Sequence, residues 1–176
     1  MVANHRMRAA VAVLVGATLV GVGLVVITLI GTARHPADTA EPRPTTQTTG
    51  APSDLAVAMR AWEARAGDHF KESARALEQV SEATDRNDEA GVRSGCQRLH
   101  DTNAVGLQAD LPTPDPVLTA ELQSMIDDVN TAAHGCLRFT DSRLPDDAAT
   151  YQTYLAKAID HLTTAKAILN GDLGQR

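Results

Sequence analysis

Residues 110–118 read DLPTPDPVL, placing prolines at 112, 114 and 116 inside a chain half that otherwise carries helical periodicity. Proline pushes the residue before it out of helical geometry, yet it suits the first position of a helix, where no amide hydrogen is needed. The stretch therefore reads as a hairpin tip. Pro112 ends one helix, Pro114 stiffens the connection, Asp115 caps the next helix and Pro116 takes its first position. What lies on either side decides how many helices form and how they pair.

Upstream of the tip, Val92, Cys96, Leu99, Asn103 and Gly106 mark the inner face of a helix capped by Asp88. Before it, ahead of the polar DRND turn at 85–88, Leu55, Met59, Trp62, Ala66, Phe70, Ser73, Leu77, Val80 and Thr84 follow a 3.5-residue period behind a Ser53 N-cap. Downstream, Leu118, Leu122, Met125, Val129, Ala132 and Cys136 mark a third inner face that runs to Thr140. After the SRLPDD turn, Tyr151, Leu155, Ala158, Leu162, Ala165 and Leu169 mark a fourth, with Gly171 as its C-terminal cap. No segment alternates with period two, so residues 54–176 are predicted to be all-α, an antiparallel up-down-up-down four-helix bundle. Alanine-rich seams let helices approach closely but bury little apolar area each, so such a core gains from a staple.

Cys96 and Cys136 can supply that staple. If the hairpin turns near residues 112–115, the two cysteines miss perfect register by five residues, a little more than one helical turn. Helix offset can absorb that difference, and both residues lie on inward faces, so a disulfide is expected. In the chain-entropy model, closing a loop of about 40 residues stabilises a fold by roughly 4 kcal/mol, large against a domain stability of about 5–15 kcal/mol.

The N-terminal third is of another kind. Residues 9–33, AAVAVLVGATLVGVGLVVITLIGTA, carry no charge over a length sufficient to cross a bilayer as a helix. They read as a signal anchor, with residues 1–8 as a cytoplasmic tail, although Gly31-Thr32-Ala33 also matches a cleavage site. Ala12, Gly16 and Gly23, with Ala17 and Gly21, align small residues along this span and offer a face for transmembrane self-association. Residues 34–53 hold four of the eight prolines and five threonines without apolar periodicity, which predicts a disordered linker. Arginines flank the span on both sides, but the short tail and a cysteine pair confined to the C-terminal domain favour the domain outside the plasma membrane.

Charge then narrows the partners. The domain holds 12 basic and 20 acidic residues, a net of −8, and the whole chain has only five aromatic residues. Such a surface repels phosphate backbones and offers no stacking platform, so nucleic-acid binding is not expected. His69, His100, His134 and His161 fall one on each predicted helix, which raises a metal or haem site as an alternative. The Glu-x-x-His pairs of di-iron bundles are missing, and counting rise from the turns puts His134 far from the others. Boundary or surface histidines are the reading preferred, with no metal or cofactor assigned. No nucleophile elbow, phosphate loop or His-Glu-x-x-His occurs. His100 and Asp101, adjacent on a helix, point about 100° apart and are not expected to pair. Asp127 with Asp128 and Asp146 with Asp147 read as a solvated face and a helix start. No catalytic residue is assigned.

The stretch LPTPDPVLTAELQSMIDDVNTAAHGC, with the preceding segment from Cys96, resembles small membrane-anchored or secreted helical proteins of mycobacteria and related actinobacteria. The 13 arginines against 3 lysines suit a high-GC genome. The resemblance covers mainly the second and third helices; it implies an envelope location and a cysteine-bridged domain, and carries over no activity. The function expected is a noncatalytic interaction module that engages an envelope or membrane protein. A small-ligand or metal/haem-binding bundle is the alternative, and an apolar cavity between the helices would favour it.

Overall fold

The computed structural model describes residues 53–174; the predicted tail, span and nearly all of the linker lie outside the described residues. Four α-helices make up the fold: α1 (Asp54–Asp85), α2 (Glu89–Asp101), α3 (Pro116–Ser142) and α4 (Pro145–Asp172). A π-helical segment, Thr102–Leu107, prolongs α2, and no strand occurs among the described residues.

The starts of three helices follow the predicted chemistry. The Ser53 hydroxyl accepts from the Ala56 amide at 3.2 Å, the Asp88 carboxylate accepts from Gly91, and Asp115 accepts from Val117 and Leu118 with Pro116 behind it. One helix end differs. Gly171 lies inside α4, and the left-handed glycine is Gly174, at φ 69°. Leu173 explains the extra length, because it packs into the core as the helix runs on.

Contacts between successive helices are antiparallel at every step. Gly95 lies over Val80 and Gly106 over His69, pairing α1 with α2. Arg93 bonds Asp141, and Gln108 bonds Gln123, pairing α2 with α3. Arg138 bonds Asp147 at 2.8 Å and His161 bonds Glu121 at 2.8 Å, pairing α3 with α4. A Cβ on Gly135 would stand 3.0 Å from the Tyr151 nitrogen and 3.1 Å from the Asp147 carbonyl oxygen, so the glycine lets the α3 and α4 backbones come close there.

Cys96 and Cys136 form the expected disulfide, with Cα atoms 6.1 Å apart. The α2–α3 pairs centre near residue 116 rather than near 113–114. The extended residues at the tip cover axial distance on the α2 side, whereas α3 coils from Pro116 onward. That removes the five-residue mismatch.

The core falls into two clusters. Val80, Cys96, Cys136, Phe139 and Tyr151 pack around the bridge, while Met59, Trp62, Leu107, Leu118 and Ile126 pack toward the tip. Leu55 departs from the prediction: it is 39% exposed and Ala56 is buried in its place. Ala56 and Leu55 lie three and four residues before the buried Met59, on either side of its stripe, and Ala56 is the one turned inward.

Candidate functional site

Phe70, Leu77 and Leu162 were expected inside the bundle, yet all three are only partly buried. The cause is the arrangement of the helices. α1 packs on α2, α2 on α3 and α3 on α4, but α1 and α4 scarcely meet. Between them lies an apolar cleft of about 180 Å3. Trp62, Phe70 and Leu77 form the α1 wall, Leu155, Ile159 and Leu162 the α4 wall, and Leu122, Met125 and Val129 of α3 the floor. The wall from Trp62 to Leu77 extends along roughly 22 Å of helix.

Polar groups are few and mostly tied. The Asn103 amide donates to the Ser73 hydroxyl at 3.2 Å and to the Leu99 carbonyl at 2.7 Å, closing the floor beside the π-helical segment. Glu63, Lys71 and Lys166 stand on the rim. Lys71 pairs with Asp68 at 2.9 Å and, chiefly through that hydrogen bond, holds the Asp68 carboxyl below its usual range. Gly67 and Ala74 keep the α1 wall low, and a Cβ placed on Gly67 would touch nothing within 4 Å. Trp62, the only tryptophan of the chain, anchors the lower end by donating from Nε1 to the Asp110 carbonyl at 2.8 Å.

The hairpin tip lies at this same lower end. Its organiser is a residue the sequence did not single out, the buried Thr113. The Thr113 amide donates to Thr119 Oγ1 at 2.9 Å, and the Thr113 hydroxyl donates to the Asp115 carbonyl at 2.6 Å. Pro112, Pro114 and Pro116 are exposed, and the Leu111–Pro112 bond is cis. The prolines thus form the outer surface of a tip held from within by two threonines. Below it Asp172 faces Asp115, and burial followed by that like charge raises the Asp172 carboxyl above its usual range.

The histidines do not converge on the cleft. His69 Nδ1 pairs with Asp110 at 2.7 Å, and His161 pairs with Glu121 at 2.8 Å, with Asp128 at 3.8 Å. Asp128 therefore faces a partner helix, whereas Asp127 is solvated as expected. His134 is not isolated: its ring centroid is 4.8 Å from that of His100. Counting from the wrong pivot separated these two residues by the same error that offset the cysteines. His100 Nδ1 and Asp101 Oδ1 are also 3.1 Å apart, because side-chain rotation overcomes the angle between adjacent helical positions. Among the described residues no group of three or more His, Cys, Asp or Glu is arranged to hold a metal. Tyr151, whose hydroxyl burial pushes up to about 12, stays protonated at neutral pH.

The cleft was not visible in the periodicity, since closed and open bundles carry the same apolar stripe. Gly67 is a sequence signal that could have revealed it: a mid-helix glycine costs about 1 kcal/mol against alanine and has no packing reason here. In comparisons with known proteins, no family model, curated protein or solved structure matches the chain.

Proposed function

We propose that the chain is a noncatalytic, membrane-tethered module of the cell envelope whose helical domain binds a partner protein in the α1–α4 cleft. The observation that carries this reading is the cleft itself, apolar residues of core type left half-buried between two helices that do not close on each other. Its size favours a docked side chain over a whole ligand. Sites for small molecules occupy about 300–1,000 Å3, whereas an apolar cavity of about 150 Å3 holds a single benzene ring. A cleft of about 180 Å3 fits one ring-sized or branched apolar anchor. Two antiparallel walls suit the amphipathic helix that carries such an anchor. The net charge of −8 on residues 54–176 favours basic flanks on that helix. The uncharged run 9–33, the linker 34–53, the Cys96–Cys136 bridge and the actinobacterial resemblance support placing the domain outside the plasma membrane.

A photo-crosslinking residue at Ala74 in the full-length chain, expressed in its own membranes, tests the reading. A discrete crosslinked protein that disappears when Gly67→Leu fills the cleft is the expected result. Persistence of the same crosslink in Gly67→Leu overturns it. Thiol labelling of intact cells tests the location: labelling of Cys96 and Cys136 without reductant would place the domain in a reducing compartment. The same cavity supports a second reading, a free apolar ligand of one-ring size. In that case a small aromatic probe would shift Trp62 fluorescence saturably, and Ala74 would crosslink no protein.

A further inference from the structure

We propose that His100 and His134 form a two-histidine site for an exchangeable divalent transition-metal ion, Zn2+ or Cu2+, on the α2–α3 face. The two rings come from neighbouring helices and stand with centroids 4.8 Å apart at an interplanar angle of 63°. Two imidazoles bound to one ion at about 2.0–2.1 Å have centroids on the order of 5 Å apart, so the helices already hold the rings at chelating distance. The tautomer is set as well. His100 Nδ1 faces the Asp101 carboxylate at 3.1 Å, and Asp101 Oδ1 also accepts from Gln97 Nε2 at 2.9 Å. A carboxylate acceptor keeps the proton on Nδ1 and leaves the Nε2 lone pair for a cation, the arrangement found behind metal-bound histidines. His134 is exposed, and its ring packs against that of His100.

The disulfide preorganises the pair. Cys96 lies one turn before His100 on α2, and Cys136 lies two residues after His134 on α3, so the bridge fixes the spacing of the two helix segments that carry the rings. Two neutral nitrogen donors suit Zn2+, Ni2+ or Cu2+, with Cu2+ held most tightly, and give little hold on Ca2+ or Mg2+. Water or a donor from a bound partner completes the coordination. The site stands apart from the α1–α4 cleft, and neither reading depends on the other.

Calorimetric titration of the detergent-solubilised full-length chain with Zn2+, paired with electron paramagnetic resonance of the Cu2+ complex, tests this. One equivalent of ion, and a Cu2+ spectrum showing two nitrogen ligands, are expected. His100→Ala and His134→Ala should each weaken binding at least tenfold, and Asp101→Asn should weaken it by about 10–100-fold through loss of the orienting contact. Far-UV circular dichroism verifies the folds, and His134 is exposed enough that its replacement leaves the core untouched. Binding that survives both histidine substitutions, or an isotherm with no saturable site, overturns the proposal.

Discussion

Asp147 and Asp172, near the two ends of α4, have carboxyl groups shifted in opposite directions. Hydrogen bonds from Ser142 first and Arg138 second hold the Asp147 carboxyl below its ordinary value of 3.8. An acid with a depressed folded pKa favours the native state when ionised, so its contribution is present above the unfolded value and lost as pH falls through the folded one. Asp147→Asn is expected to lower the melting temperature at pH 7. The difference from wild type should close on acidification below about pH 3.9. Asp172 has the reverse sign: burial and the Asp115 charge raise its value, so the native state favours the protonated acid and is weakened once the group ionises. Asp172→Asn should therefore raise the melting temperature at pH 7, with the gain shrinking as the wild-type acid protonates. Thermal unfolding followed by circular dichroism across pH 2–7 reads both, and matching slopes for the two variants would contradict the assignment.

At the scale of elements, the local chemistry of the sequence was sufficient for helix starts and insufficient for what neighbouring helices decide. Ser53, Asp88 and Asp115 act on amides two or three residues away, and those caps formed as read. The π-helical turn at Thr102–Leu107 left no periodic trace. Asn103 is buried as expected, but past it Leu107 rather than Gly106 takes the inward position, and Gly106 comes against the His69 ring. A Cβ at Gly106 would fall 2.8 Å from His69 Cδ2, so Gly106→Ala should displace that ring and its bond to Asp110. The group displaced is the end of a side chain that is 42% exposed, so the expected loss is that of its hydrogen bond, about 1 kcal/mol at most, read by urea unfolding. The bridge matters more: the Cys96→Ala, Cys136→Ala double variant opens a loop of 40 residues and should lose about 4 kcal/mol. An unchanged urea midpoint would mean that the α2–α3 interface alone holds the register.

At the scale of the molecule, the bundle is a chain of three helix pairs whose ends stay open, and Gly67 sits where that openness matters. Stability alone would favour alanine there, because the position is mid-helix and a Cβ meets nothing within 4 Å. Gly67→Ala is expected to stabilise the domain by about 1 kcal/mol, seen as a rise of the melting temperature by several degrees. Glycine at this position costs stability and keeps the α1 wall low beside Trp62 and Phe70, so the cleft rather than the helix accounts for it. Gly67→Leu separates the two effects, since it removes the glycine penalty while projecting a branched side chain into the space a docked anchor would take. The expected outcome is a domain at least as stable as wild type, with Trp62 emission shifted to shorter wavelength and no crosslink from Ala74. A destabilised Gly67→Leu would instead show that the space is occupied in the free protein, and the cleft would lose its standing as a binding surface.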